Sequence, residues 1–307
     1  MNTEFYSYGE ILWDCLPSGR HAGGAPFNVT AHLVQLGASA SLISAIGRDS
    51  LGEEILQVAK DKGVNTEFIG RHATLPTGTV LATVDAKGNA TYDIIKPVAW
   101  DDIEVPTVII ESVAQARGFI FGSLSCRSRD NIQNLRGLLG IPGPMKFFDV
   151  NLRPPFVDPE CVVKLFARAD VIKLNDDELG KLTSWLKTGE MTPNTPRTAK
   201  AVFEACAALA EATTTRTVCV TRGADGAAMW TDGELLCAPA PKVTVRDTVG
   251  AGDSFMAGLM IGLTRGVDRK TILENACRVG AYVASHHGAT PLLPDEIVER
   301  FRTQEIA

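Results

Sequence analysis

The residues best suited to chemistry lie near the C-terminus, in the segment 247–255, Asp-Thr-Val-Gly-Ala-Gly-Asp-Ser-Phe. Gly250 and Gly252 allow backbone amides to approach a ligand closely, and the apolar run that follows predicts the start of a buried helix. The first turn of a helix leaves N–H groups without intrahelical partners, so this loop can hold an anion. Asp253 would sit beside that anion, where a carboxylate suits a base that deprotonates a hydroxyl attacking a phosphate.

The same residues admit other interpretations. Asp is a favoured N-cap, so Asp253 could simply cap a helix that begins at Ser254. A P-loop requires a lysine after its last glycine, whereas Gly252 is followed directly by Asp253. A dinucleotide-binding fingerprint requires a third glycine at the position of Phe255. The segment therefore matches neither of these two common phosphate loops.

A second set of polar residues lies near the N-terminus. A strand-like run over 8–17 carries Asp14, and Gly23, Gly24 and Asn28 follow it at the start of a helix with apolar periodicity. A carboxylate accepts two hydroxyl hydrogen bonds at once, so this set could bind the vicinal hydroxyls of a sugar. The alternative is a Gly-Gly turn in which Asn28 only caps the helix.

The middle of the chain alternates short apolar strands with amphipathic helices. This rhythm predicts a mostly parallel sheet covered on both faces, in which ligands collect at the C-terminal ends of the strands. Polar segments follow three of these strands in succession, at 149–153, 175–178 and 221–226. The predicted strands are 119–123, 146–150, 171–174 and 217–220, and the predicted helices are 131–139, 162–168, 177–186 and 198–211.

An interruption of this β/α pattern occurs between residues 78 and 95. Two alternating segments, 78–84 and 89–95, flank a turn at 85–88 and predict an antiparallel hairpin. A hairpin at this point indicates a separate small sheet, which would serve as a lid or as an oligomer contact.

Composition excludes several classes of protein. The 307 residues, 45% of them hydrophobic, can bury a large core, and the net charge of -6 argues against a nucleic-acid or anionic-membrane partner. Seven cysteines without a Cys-x-x-Cys pair predict free thiols in a reducing compartment. We find no signal peptide and no apolar span of membrane length, so a cytoplasmic location is expected. The adjacent His286 and His287 are more typical of a polar helix end than of a metal site.

Taken together, these motifs resemble the ribokinase-like, or PfkB, carbohydrate kinases over essentially the full length, and within them the bacterial fructokinases. The two signature regions are 23–28 and 247–253, and the segments 121–124, 149–153, 173–178 and 220–223 come between them in the family order. The resemblance implies a single kinase domain over 1–307 with the ribokinase-like fold. That fold is a three-layer α/β/α sandwich with a mostly parallel central sheet and a small β-sheet lid, formed here by about 10–28 and 75–100.

The resemblance also implies roles for individual residues. Asp253 would be the catalytic base, beside an anion hole made by the amides of Gly250, Ala251 and Gly252. Glu178, together with Asn175, would organise Mg²⁺ and phosphate through water. Residues expected to bind the sugar are Asp14, Gly23, Gly24, Asn28 and Arg153. Residues expected to bind ATP are Asn175, Thr221, Gly223 and Gly226.

Many relatives bind a monovalent cation, usually K⁺, beside the anion hole. The matching positions here are Asp247, Val249, Val283, His286 and Gly288, although Leu292 stands where relatives can offer a hydroxyl. The lid of the family often also forms a dimer contact, so a homodimer through the lid is expected.

The choice of substrate depends on fewer residues. Ribokinases and several sugar-phosphate kinases place a lysine after the double glycine, where this chain has Ala25. The resemblance therefore favours an unphosphorylated sugar, with ATP-dependent conversion of D-fructose to fructose 6-phosphate as the leading hypothesis. A kinase for 2-keto-3-deoxygluconate or ribose remains open. A sugar dehydrogenase would need the dinucleotide fingerprint, and a non-catalytic sugar-binding regulator would predict loss of the base.

Overall fold

A nine-stranded sheet forms the centre of the molecule. The structure is a computed structural model that describes residues 4–16, 19–84 and 90–302. All strand pairs are parallel except those of the last two strands, which form an antiparallel edge. In spatial order the strands are β13 (Glu234–Ala238), β12 (Ala227–Thr231), β11 (Thr217–Thr221), β10 (Val171–Asn175), β9 (Met145–Asp149), β8 (Gly118–Gly122), β1 (Phe5–Tyr8), β4 (Ala40–Gly47) and β5 (Ile69–His72).

Helices cover both faces of this sheet. Successive strand residues point to opposite faces, and both Ile120 and Phe121 are buried, so each face needs an apolar cover. Phe121 stacks on Phe148 at a ring-centroid distance of 4.8 Å, within the core that α3 to α7 close. Ile120 and Phe147 face α1, α8, α9 and α10. The helices are α1 (Ala25–Gln35), α2 (Ser50–Asp61), α3 (Thr107–Ala114), α4 (Arg129–Leu139), α5 (Pro159–Phe166), α6 (Asp176–Thr188), α7 (Ala199–Thr213), α8 (Ala251–Thr264), α9 (Arg269–Ala284) and α10 (Asp295–Arg302).

A separate four-stranded sheet forms the lid. Its order is β3 (Gly19–Gly23), β2 (Leu12–Leu16), β6 (Gly78–Val84) and β7 (Ala90–Ile94), with only β2 and β6 parallel. The predicted hairpin strands are therefore present, whereas the predicted turn at 85–88 lies outside the described residues. The three-layer α/β/α sandwich with a small lid is confirmed.

A buried arginine anchors the lid to the main domain. Arg127 Nε and Nη2 donate to the carboxylate of Asp101 at 2.6 and 2.8 Å, and the Arg127 side chain is 1% exposed. The same guanidinium donates to the carbonyls of Ile94 and Ile95, where β7 ends. It also lies 3.8 Å from the ring centroid of Trp100. This set of contacts fixes the point at which the chain leaves the lid.

Some predicted elements differ from the structure. The single strand expected over 8–17 is two strands in different sheets, because β1 ends at Tyr8 and β2 begins at Leu12. The change of sheet passes through Gly9, whose φ of 141° breaks the strand. No helix in the described part of the chain is long and apolar enough to cross a membrane.

Candidate active site

The glycine loop forms the N-terminus of α8. Gly250 is the N-cap residue, with a φ of 76°, and a Cβ at this position would lie 2.2 Å from the carbonyl oxygen of Ala289. Only glycine fits both the conformation and the space. The helix then begins at Ala251, so Asp253 is the third residue of the first turn and does not cap a helix that starts at Ser254, as one interpretation of the sequence had it. The Asp253 carboxylate is therefore available for another role.

The Asp253 carboxylate bonds to the predicted sugar-binding side. Asn28 Nδ2 donates to Asp253 Oδ2 at 2.8 Å, and both side chains are buried. Asn28 lies in the first turn of α1, whose N-cap is Gly24, so the alternative in which Asn28 caps the helix is wrong. Asn28 Oδ1 has no hydrogen-bond partner within the described residues. A buried free acceptor beside a carboxylate is suited to receive a ligand hydroxyl.

Burial and the neighbouring cations act on the pKa of Asp253 in opposite directions, and burial has the larger effect. Burial raises the pKa of the carboxyl, while Lys173, the hydrogen bond from Asn28 and the Arg153 guanidinium oppose the increase. A carboxylate that is buried but still partnered by cations can act as a base near neutral pH.

Asp14 enters the site from lid strand β2. A Cβ on Gly23 would lie 2.2 Å from Asp14 Oδ2, so the absence of a side chain at Gly23 leaves room for this carboxylate. Burial raises the pKa of Asp14 to about 6, with His21 and Arg153 acting against the increase and Asp253 adding to it. The structure thus brings Gly23 against Asp14 and Asp14 within electrostatic range of Asp253.

A further acid, Glu10, was not identified from the sequence. Its Oε1 accepts from the backbone N–H of Ala25 at 3.3 Å, and its buried Oε2 has no partner among the described residues. Burial raises the pKa of Glu10 to about 7, and Arg153 is one of the groups that oppose this. The signal that could have revealed Glu10 is its position, since it follows the C-terminal end of a central strand.

Glu178 and Asn175 connect the ends of two neighbouring strands. Asn175 caps α6 by accepting from Glu178 N, and Glu178 Oε2 accepts from Asn175 N, which is a reciprocal capping box. Glu178 Oε1 accepts from Leu152 N at 2.8 Å. Each carboxylate oxygen keeps a lone pair, and hard oxygen donors are the ligands that Mg²⁺ prefers. The chemistry of this pair therefore fits the expected contact to Mg²⁺ through water.

A buried ion pair lies beside the anion loop. Lys173 Nζ, on β10, is 3.0 Å from both carboxylate oxygens of Asp149, at the end of β9. The two side chains are 7% and 3% exposed. A Cβ on Gly252 would lie 2.9 Å from Lys173 Nζ, which places the ammonium group against the backbone of the loop. Sequence reasoning gave neither residue a separate role.

The predicted nucleotide residues cluster at the end of β11. Thr221 is the last residue of that strand, and Gly223 and Gly226 follow with φ values of 53° and 87°. Arg222 N donates to Gly226 O at 2.8 Å, which closes the turn. Their contact with a nucleotide stays a prediction.

Asp247 links two of the predicted cation-binding segments. Its Oδ1 accepts from Val249 N at 3.0 Å and its Oδ2 accepts from Gly288 N at 3.1 Å. The carbonyl of Val283 accepts from His286 N, so one of its lone pairs is already used. No group of three His, Cys, Asp or Glu residues suited to a metal occurs in the described ranges. The K⁺ assignment stays a prediction that depends on backbone carbonyls.

Comparison with known proteins identifies the family of this chain. Residues 5–296 match the pfkB family of carbohydrate kinases. The aminoimidazole riboside kinase of Salmonella typhimurium is 29% identical, over 93% of this chain and 90% of that protein. The fructokinase of Escherichia coli is 26% identical, over 96% of this chain and 97% of that protein.

Solved structures show the same fold. The fructokinase of Xylella fastidiosa with bound ATP has a TM-score of 0.81 at 23% identity and covers 99% of both chains. The aminoimidazole riboside kinase of Salmonella enterica, complexed with aminoimidazole riboside and an ATP analogue, has a TM-score of 0.77 at 25% identity, over 97% of this chain and 100% of that one. Because the family match spans nearly the whole sequence, this chain belongs to the pfkB family of carbohydrate kinases.

Proposed function

We propose that this protein transfers the γ-phosphoryl group of ATP to a primary hydroxyl of an unphosphorylated sugar, and that D-fructose, converted to fructose 6-phosphate, is its substrate. The observation that carries this proposal is the 2.8 Å hydrogen bond between Asn28 and Asp253. This contact supports the proposal because it joins the proposed base to a residue proposed to bind the sugar, at the N-terminus of a helix that can bind phosphate.

The proposed reaction follows from this arrangement. Asn28 and Asp14 hold the sugar, and Asp253 takes the proton of the primary hydroxyl as its oxygen attacks the γ-phosphorus. The bond between the γ-phosphorus and the β,γ-bridging oxygen breaks, and ADP leaves. The amides of Gly250, Ala251 and Gly252 stabilise the charge that develops on the transferred group. Mg²⁺ bound with ATP, and held through water by Glu178, would neutralise phosphate charge. A dimer formed through the lid remains a separate prediction.

The charges of the pocket support a neutral substrate. Glu10, Asp14 and Asp253 are three carboxyl groups near enough for Asp253 to raise the pKa values of the other two. A substrate that already carries a phosphate or a carboxylate would meet these acids, whose pKa values stay raised although Lys173, His21 and Arg153 act in the opposite direction. This argument disfavours sugar phosphates and 2-keto-3-deoxygluconate.

Aminoimidazole riboside is a second candidate substrate. It also presents a neutral sugar with a primary hydroxyl, and the relative that acts on it is 29% identical to this chain. A panel of fructose, ribose, aminoimidazole riboside and 2-keto-3-deoxygluconate with Mg-ATP would separate these substrates. ADP formation is followed by a coupled assay, and the substrate with the highest kcat/KM identifies the reaction.

The role of the base is tested with Asp253→Asn. Removal of a general base lowers kcat by about 10² to 10⁴-fold, and the isosteric amide can keep the contact with Asn28. We therefore expect sugar binding, measured by calorimetry, to survive while turnover falls. Near-normal turnover in this variant would refute the mechanism, and a regulator without catalysis would show no ADP formation in the wild type either.

A further inference from the structure

The Lys173–Asp149 pair has an unusual setting for an ion pair. Both side chains are buried, and both carboxylate oxygens of Asp149 lie 3.0 Å from Lys173 Nζ. A buried ion pair contributes little net stability, because removing two charges from water offsets most of their attraction. An apolar pair of similar size would fill the same space without that penalty. Stability alone therefore does not explain why these charges are buried here.

The position of the lysine indicates what it acts on. Lys173 Nζ lies beside the anion loop, because a Cβ built on Gly252, the residue before Asp253, would be 2.9 Å from it. Among the charged groups that act on Asp253, Lys173 has the largest effect in favour of the ionised form, ahead of Arg153. Lys173 is also buried, so solvent screens it far less than it screens the more exposed Arg153.

Apart from the exposed Arg153, the other groups that act on Asp253 are acids or are neutral. Asn28 on α1 donates a hydrogen bond without a charge. The carboxyl groups that interact with Asp253 belong to Glu10, Asp14 and Asp149, which come from the segment after β1, from the lid and from β9. Without a buried cation, four carboxyl groups would face each other, and Asp253 would hold a proton when it must accept one.

We propose that Lys173 is a positioning residue for phosphoryl transfer, which keeps the Asp253 carboxylate ionised. Asp149 weakens this effect, because its own negative charge offsets part of the positive charge of Lys173. This inference rests on the proposed function, in which the proton of the sugar hydroxyl moves to Asp253. Lys173 neither gives nor takes a proton in that step. It sets the charge of the base before the substrate arrives.

The proposal predicts opposite effects for the two partners. In Lys173→Met, the cation is lost and the titration midpoint of Asp253 moves up by about one to three pH units. In Asp149→Asn, the negative charge that offsets Lys173 is lost, so the titration midpoint of Asp253 moves down. A residue that only supports packing would not produce shifts of opposite sign.

The experiment titrates Asp253 directly by NMR in protein labelled with ¹³Cγ-aspartate, in the absence of substrate. The Asp253 signal is assigned by its disappearance in Asp253→Asn. Lys146→Met is the matched control, since Lys146 lies on β9 near its other end and contacts Pro144 O. We expect no change of the Asp253 midpoint in this control.

Either single variant could fail to fold because it leaves one buried charge without its partner. The double variant Asp149→Asn with Lys173→Met removes both charges and so provides a second test that avoids this problem. We expect its Asp253 midpoint to lie above that of the wild type. An unchanged Asp253 midpoint in both Lys173→Met and the double variant would overturn the proposal. This result is independent of activity, so it is distinct from a failure of the proposed function, which would appear as a wild type that phosphorylates no sugar.

Discussion

Substitution of Gly250 by alanine tests whether close backbone contact builds the anion hole. Gly250 has a φ of 76°, and Gly266, after the C-terminal end of the same helix, has a φ of 70°. A left-handed conformation costs an alanine about 1 to 2 kcal/mol at either position. Only at Gly250 would the new Cβ meet other atoms, 2.2 Å from Ala289 O, whereas nothing lies within 4 Å of a Cβ on Gly266. Gly266→Ala is therefore a matched control for conformational cost.

The size of the effect follows from the geometry. Ordinary contact begins at 3.4 Å, so the loop and Ala289 must separate by about 1.2 Å to accept the methyl group. A displacement of about 1 Å in a catalytic group can reduce the rate by about 10²-fold. We expect Gly250→Ala to lower kcat by at least that factor, and Gly266→Ala to leave kcat unchanged.

The assay combines steady-state kinetics with urea unfolding of both variants. The unfolding free energy of both variants should fall by the cost of a left-handed alanine. It should fall further in Gly250→Ala because of the clash with Ala289. If the two variants matched in kcat and in unfolding free energy, the tight contact between Gly250 and Ala289 would not position the anion hole.

Two further predictions concern buried charges. Glu10 has a pKa of about 7 in the folded protein against 4.5 as its ordinary value, so its contribution to stability is full below pH 4.5 and is lost as pH rises to 7. Glu10→Gln should remove this pH-dependent loss of unfolding free energy, which is about 3 kcal/mol at most. If the unfolding free energies of variant and wild type, measured with urea, changed in parallel with pH, this prediction would be wrong. Arg127→Met leaves Asp101 buried and unpaired and should cost about 3 to 5 kcal/mol of unfolding free energy. The double variant with Asp101→Asn should recover part of that loss and serves as its control; an unchanged urea midpoint in Arg127→Met would refute the anchoring role.

Sequence patterns predicted the central strands that are buried along most of their length. Strands β8 to β11 are short apolar runs between amphipathic helices, and each was placed within one residue at its ends. The strand β1, Phe5–Tyr8, was missed because four residues with a serine among them give no clear periodicity. The helix α10 was missed as well, because its eight residues carry five charged side chains and only three apolar ones.

The parts of the candidate site that could be predicted are those in which the residue type itself indicates the chemistry. The glycine loop could be interpreted directly, because only glycine permits the required backbone approach. Lys173 was not recognised as part of the site, because it stands inside an apolar strand and its partner lies on another one. Which charges meet in the core depends on strand order, and a single sequence does not contain that order. Asp253 was considered as a helix cap for a similar reason, since its partner Asn28 lies far away in the chain.

The hydrogen bond between Asn28 and Asp253 joins residues 225 positions apart. Closing so large a loop is entropically unfavourable until the intervening sheet has formed, so we expect this contact to form late in folding. During synthesis, α1 leaves the ribosome long before α8, so Asn28 cannot bond to Asp253 until α8 has been made. Refolding experiments should therefore recover strand signal before activity.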